Sequence, residues 1–211
     1  YAIAQNTLTA GGNYDLSFVS ANLTITKREL LAQADDQSRG YGQANPALTI
    51  SYTGFVTGED TNVLDVLPSA STLADTNSPI GMYDITASGG SDNNYSLVLS
   101  NGTLTVTLAA LTVTADAKSK IYGDSDPALT YQITSGSLVG SDSLSGSLSR
   151  VAGENVGSYA IAQNTLTAGT NYTLTFVSAD LTIAVRPLTV AADAKSKIYG
   201  DSDPALTYQI T

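Results

Sequence analysis

LTVTADAKSKIYGDSDPALTYQIT, residues 111–134, is the stretch on which the fold turns. Leu111, Val113, Ala115 and Ala117 are apolar and alternate with polar Thr112, Thr114, Asp116 and Lys118. A period of two is that of a half-buried strand with one wet face. Tyr122-Gly123-Asp124-Ser125-Asp126-Pro127 then concentrates turn formers, and Pro127 cannot donate to a ladder. Alternation resumes with Leu129, Tyr131 and Ile133, so the stretch reads as two strands joined by a turn. It returns at 188–211, 77 residues further on, with one change, Thr114 to Ala191.

Working outward, the rest of the chain repeats as well. Residues 1–25 return at 159–183 with four changes, Gly12 to Thr170, Asp15 to Thr173, Ser17 to Thr175 and Asn22 to Asp180. A more divergent copy begins at Leu30, which aligns with Leu111 at an offset of 81, as Tyr41-Gly42 aligns with Tyr122-Gly123 and Pro46-Ala47-Leu48-Thr49 with Pro127-Ala128-Leu129-Thr130. This period exceeds that of helical solenoids and suits a small β domain with its own core. The boundaries follow: 1–26 is the back part of a module, 27–108 a complete β module, 109–184 a second, and 185–211 the front part of another. The chain thus reads as a window cut from an array. Its end pieces are too short to bury a core alone and are expected to be ordered only when paired with another chain or with more of the same one.

Within a module, Tyr172, Leu174 and Phe176 continue the strand pattern. Asn101-Gly102, between the runs 95–99 and 104–106, predicts a tight hairpin, and Ser178-Ala179-Asp180 a variant of it. Ser- and Gly-rich residues 135–158 read as a loop or short helical turn followed by one more strand. The connections at Thr26–Glu29, Thr107–Ala110 and Ala184–Pro187 are very short. Together these predict a mainly β fold of small β-sandwich or β-grasp-like modules arranged end to end as an elongated, stiff rod.

Composition removes several function classes. There is no Cys and no His, so disulfides, thiolate metal sites and the commonest general base near neutral pH are missing. The net charge of −10 comes from scattered acids and disfavours nucleic acid. No apolar run is long enough for a membrane helix, so no membrane insertion is expected in this segment.

The modules share K-x-Y-G-D-x-D-P-A-L-T-Y, then G-x-L-V-G-x-D-x-L-x-G-x-L, then V-G-x-Y-A-I and N-Y-T-L-T-F-x-x-A-x-L-T-I. This set resembles the YGX-type MBG repeats of large bacterial surface and filamentous adhesins, over essentially the whole chain. The resemblance implies a mainly β, β-grasp or Ig-like module used in tandem on bacterial cell surfaces, with no catalytic residues to carry over. The first complete module departs from the pattern, with Arg39, Gln43, Asn45 and Ile50 where the next has Lys120, Asp124, Asp126 and Tyr131, and with an insertion around Asp60–Ser78.

Candidate sites are few. Asp124 and Asp126, with their copies Asp201 and Asp203, are weak Ca²⁺ candidates, since clustered carboxylates suit that cation, but the six to eight oxygens it takes are not visible locally and Asp before Pro is ordinary turn chemistry. Lys118 and Lys120 raise the idea of an intramolecular Lys–Asn isopeptide, a bond that needs a buried Lys beside an acid. They are expected instead to be solvated, and Gln37 and Arg39 occupy those places in the other module. Tyr159 and Tyr172 could stack on a glycan, but their parity places them at the core edge with the hydroxyl reaching water or backbone. The Asn-x-Ser/Thr sites at Asn22, Asn94, Asn101 and Asn171 suit a Thr-rich chain by chance. A hydrolase built on two carboxylates ranks last, because no acid sits in a context suggesting a cleft. The sequence therefore points to a non-enzymatic, structural region of a bacterial extracellular or cell-surface adhesin, with no cofactor and with neighbouring modules of the same protein as partners. The alternatives are a module that binds a surface glycan, and a matrix fibre assembled from other copies of the chain through its end pieces.

Overall fold

The computed structural model describes residues 1–211, which divide into two compact units, Tyr1–Thr107 and Leu108–Thr211. Each contains one complete module and one end piece. The chain is almost entirely β, with one short 3-10 turn at Thr61–Val63 and no α-helix.

In the first unit the end piece contributes β1 (Ala2–Ile3) and β2 (Ala21–Asn22). The complete module follows as β3 (Arg28–Ala34), β4 (Gln37–Gly40), β5 (Ile50–Thr53), β6 (Val66–Ser71), β7 (Gly81–Ser91), β8 (Tyr95–Ser100) and β9 (Gly102–Thr107). They form two sheets, in the orders β5-β3-β8 and β4-β9-β7-β6. Leu30, Leu64 and Tyr95 pack with Tyr52, Phe55 and Leu97 at one level of the core. At another, Ala34, Ala74, Ile85, Ala87 and Leu104 pack with Leu48, Ala70 and Tyr83.

The second unit repeats this plan. Its strands are β10 (Ala109–Ala115), β11 (Lys118–Ile121), β12 (Tyr131–Ser135), β13 (Ser149–Arg150), β14 (Gly157–Ala162), β15 (Tyr172–Val177) and β16 (Ala179–Ala184), then β17 (Val190–Ala192) and β18 (Tyr208–Ile210) in the end piece. The sheets run β12-β10-β15 and β11-β16-β14-β13. Ala115 from one sheet meets Ile161 and Leu181 from the other, with Leu129, Leu148, Phe176 and Ala179 packed around them. Side chains from two facing sheets interdigitate, and no helix crosses either sheet, so each module is a small sandwich. Burying one leucine such as Leu181 in this way contributes roughly 2–3 kcal/mol.

The predicted hairpin at Asn101-Gly102 is not one. β8 pairs in parallel with β3, while β9 pairs with β4 and β7, so the Asn-Gly corner carries the chain from one sheet to the other. Gly102 is the first residue of β9 and lies outside the left-handed region that a tight Asn-Gly turn would require. Close approach accounts for the glycine instead, since a Cβ there would sit 2.4 Å from the carbonyl oxygen of Ala34. The corner at Ser178 likewise divides β15 from β16, and its hydroxyl donates to Ile161 O at 2.8 Å.

The first strand of each module also changes sheet, at Asp35-Asp36 and at Asp116-Ala117. The result is a pair of strands that run side by side through the whole module. Ala109 lies opposite Tyr172 at one end, and Ile121 lies opposite Ala184 at the other, both in parallel ladders. Arg28 opposite Tyr95 and Gly40 opposite Thr107 mark the same limits in the first module. Because the pairing is parallel, the chain comes in at one pole of each sandwich and leaves at the other, a path of up to about 40 Å at roughly 3.3 Å per residue.

Candidate functional site

The interruption at Asp116-Ala117 resets the strand parity. Leu111, Val113 and Ala115 face inward in β10, but beyond the break it is Lys120 that faces inward in β11, while Ser119 and Ile121 are exposed. Lys120 is therefore buried, its side chain only 4% exposed, and the expectation of a solvated lysine is overturned. A cation so placed needs acceptors. Its Nζ lies 2.7 Å from Asp126 Oδ1 and 2.6 Å from Glu154 Oε2. Arg150, 10% exposed, completes the cluster: Nε reaches Asp126 Oδ2 at 2.6 Å, Nη2 reaches Asp126 Oδ1 at 3.1 Å and Glu154 Oε1 at 2.5 Å, and Nη1 donates to Gly153 O at 2.6 Å. The guanidinium also stands over the Tyr159 ring, 5.4 Å from its centroid. Two cations and two carboxylates from β11, the turn before Pro127, β13 and the loop before β14 are thus tied at one edge of the sandwich.

The first module answers the same burial with one cation. Arg39, also buried, donates from Nε to Asn45 Oδ1 at 2.7 Å, from Nη1 to Gly40 O at 3.2 Å and from Nη2 to Asp75 O. Asn45 in turn donates to Ala74 O at 2.6 Å. The insertion around residues 60–78 thus brings the backbone acceptors that replace Glu154.

Electrostatics define what the four-residue cluster can do. Hydrogen bonds from Arg150 and Lys120 hold the Asp126 carboxyl down at about 2, and the same partners, Lys120 first, lower Glu154. Bonds to Asp126 and Glu154 raise Lys120. An amide between Lys120 and a carboxyl would require a neutral amine attacking a protonated acid with loss of water, whereas this arrangement stabilises the ionised form of both. No Asn is among the hydrogen-bond partners of Lys120, as a Lys–Asn bond would demand. The cluster is a structural ion network.

The four Ca²⁺ candidates are placed differently from one another. Asp126 is held by Arg150 and Lys120. Asp124 pairs with Arg186 Nη2. Asp203 accepts from Lys197 Nζ at 2.5 Å, and the backbone oxygen of Asp201 accepts from the same amine at 3.3 Å. No three acidic side chains converge at any of these positions.

Arg186 shows what the Tyr-Gly-Asp turn does. It belongs to the connection that leaves the second module, and besides Asp124 it donates from Nε to Tyr122 O at 2.6 Å, alongside Gly123. The Tyr122 amide donates to Ala184 O at 2.9 Å, and in the first module the Tyr41 amide donates to Thr107 O at 2.9 Å. The turn therefore grips the end of the last strand of its own module. Gly123, with φ +87, supplies the left-handed conformation the turn needs.

At the opposite pole the tyrosine of the Asn-Tyr motif performs a second fastening. Tyr172 is buried; its hydroxyl accepts from the Val139 amide at 2.8 Å and donates to Asp142 Oδ2 at 2.7 Å. Tyr95 accepts from the Val56 amide at 2.9 Å and donates to Glu59. Tyr159 and Tyr83 each donate to the carbonyl four residues back, Asn155 O at 2.7 Å and Pro79 O at 2.8 Å. The aromatic residues weighed as a glycan platform are engaged within the modules. Arg150, Glu154, Arg186 and Asp142 escaped the sequence reading because residues 135–158 and the connection lack periodicity. Their signal was scarcity, since charged residues make up only 13% of the chain.

Repeated two-sheet modules, each fastened at both poles by its own motif residues, define a tandem-repeat β protein. The family model of the MBG domain (YGX type) matches residues 30–105, 111–182 and 188–211. The chain belongs to that family, as a run of its repeats. No curated protein matches it.

Proposed function

We propose that this chain is a stalk or fibre-forming segment of a bacterial extracellular or cell-surface adhesin: a non-enzymatic rigid spacer that holds another part of the protein away from its point of attachment. The observation that carries this reading is the parallel pairing of the first and last strands, which delivers the chain from one pole of each sandwich to the other. Support also comes from the Tyr-Gly turn, which restrains the outgoing strand in both modules, and from Arg186, which ties the connection back to Asp124. A short connection restrained at its origin gives little hinge freedom. In this role motif residues serve packing and junctions, which agrees with acids occupied by cations and tyrosines occupied by backbone groups.

Small-angle scattering of the dilute monomer tests the reading. An elongated particle whose cross-section is one sandwich is expected, and a compact globule would overturn it. Saturable binding on a glycan array would favour the module as a ligand-binding unit instead.

A further inference from the structure

Each complete module joins its first strands to its last from pole to pole, always in parallel. In the second module six residue pairs run from Ala109–Tyr172 to Thr114–Val177, and four more run from Lys118–Leu181 to Ile121–Ala184. The first module repeats both counts, with six pairs from Arg28–Tyr95 to Gln33–Ser100 and four from Gln37–Leu104 to Gly40–Thr107. A backbone bond closes each end of this seam. Ala109 N donates to Asn171 O at 3.0 Å and Tyr122 N to Ala184 O at 2.9 Å, as Arg28 N does to Asn94 O at 2.8 Å and Tyr41 N to Thr107 O at 2.9 Å. These closures draw on motif positions, the Tyr of Tyr-Gly and the Asn of Asn-Tyr. Where the first module's strands change sheet, the Thr103 amide spans the break by donating to Asp36 Oδ1 at 2.7 Å.

The direction of the pairing decides how the seam meets tension. A pull on the incoming connection draws β10 and β11 toward the entry pole, and a pull on the outgoing one draws β15 and β16 toward the exit pole. The ladder bonds lie across that pull, evenly spaced, so the strands must slide past one another and the bonds share the force. Had the first and last strands been antiparallel, both connections would leave from one pole, and the same pull would open the ladder one bond at a time. β12, β13 and β14 hold neither end of the module and stay unloaded until the seam yields.

We propose that each complete module is a mechanical clamp, in which tension passed along the chain is held in shear by the parallel seam between the first and last strands. The segment is then a tether that resists extension as well as a spacer. This deepens the proposed function and rests on its reading of the chain as a link between a point of attachment and another part of the protein.

Force spectroscopy on the 211-residue chain tests this. The chain has no Cys, so a pair of introduced cysteines defines where the handles attach. Leu108→Cys with Val185→Cys, both exposed and outside the ladders, pulls the second module from its two poles. Leu108→Cys with Thr170→Cys, also exposed, pulls the same seam from one pole. At equal loading rate the first pair should require at least about twice the force of the second, because the β10–β15 ladder yields together in one case and bond by bond in the other. The first pair should also give a single extension step of about 230 Å, from roughly 3.5 Å for each residue of 109–184 less the folded span. Two proline variants separate the clamp from fold stability. The bond from Ala109 N to Asn171 O sets a ladder phase in which Thr175, whose side chain is exposed, turns its amide to Leu111. Thr175→Pro removes that seam bond and should raise the rate of forced unfolding from the two poles at least about tenfold, the scale of one backbone hydrogen bond. Gln132→Pro removes a bond between β12 and β10, outside the seam, and should lower the urea midpoint while changing the forced rate less than about threefold. Equal forces in the two handle geometries would overturn the proposal whether or not the proline variants fold, as would equal forced rates for the two prolines. Neither result alters the scattering shape of the monomer, by which the spacer reading is judged separately.

Discussion

Leu181 and Leu23 occupy equivalent places in a complete module and in an end piece, so truncating each to alanine measures what module closure contributes. Leu181 is fully buried against Ala115 and Ile161, with Phe176 and Leu129 around it. Leu181→Ala removes about three methylene equivalents at roughly 0.8 kcal/mol each, about 2.4 kcal/mol of transfer free energy. The cavity left behind brings the expected loss to about 3–4 kcal/mol. With a urea dependence of about 1 kcal/mol per molar for so small a domain, the second module should unfold some 3 M earlier, or lose its native baseline altogether. Leu23 is more than half exposed, and Leu23→Ala should cost under about 0.5 kcal/mol. Urea titrations at low micromolar concentration, followed by circular dichroism, provide the assay. Equal effects of the two substitutions would refute the reasoning, because they would mean that the end piece is closed under those conditions.

The ion network predicts a pH profile. Asp126 and Glu154 have lowered pKa values in the fold, so their stabilisation is complete above the unfolded values near 4 and is lost as pH falls, for Asp126 through about 2. Lys120 is raised, so its contribution is intact below the unfolded value near 10.4 and fades only as pH climbs beyond that. Asp126→Asn should flatten the acid side of the urea-midpoint curve between about pH 4 and 2 relative to wild type, and an unchanged slope there would count against the network. Tyr172→Phe should cost about 1–2 kcal/mol and make residues 137–142 the first site of proteolytic cutting, because the Val139 amide and Asp142 lose their common partner. Gly136→Ala should cost at least about 2 kcal/mol, read as a drop in melting temperature, since φ is +77 and a Cβ would meet Ala110 O at 2.3 Å.

Much of this architecture was legible in the residues. Leu111, Val113 and Ala115 alternate because β10 has one face in the core, and the Tyr-Gly-Asp-Ser-Asp-Pro turn ends a strand because Pro127 cannot continue a ladder. The pairing partners were not legible. Asn101-Gly102 carries the local chemistry of a hairpin, but that chemistry also suits any tight corner, and only the distance to Ala34 O, set by a residue 68 positions earlier, decides which it is. Lys120 was misread for a related reason. The alternation from Leu111 extends by arithmetic through Ala117 and leaves Lys120 on the wet face, whereas the chain changes sheet there and turns that side chain inward. Its partners Arg150 and Glu154 come from a stretch with no period, so nothing local announced the pocket that receives it.

The two solutions to burying a cation carry a consequence for how such genes rearrange. Lys120 and Asp126 lie in the front of their module, Arg150 and Glu154 behind them, and the Arg39–Asn45–Asp75 arrangement is divided in the same way. An unequal crossover that joins the front of the 30–106 module to the back of the 111–183 module would place Arg39 beside Arg150 with Glu154 as the single carboxylate, two guanidinium groups sharing one counter-charge. Crossovers between like copies leave the quartet intact. Charge bookkeeping at one edge of the sandwich thus makes array expansion silent within one sequence type and penalises hybrids between types.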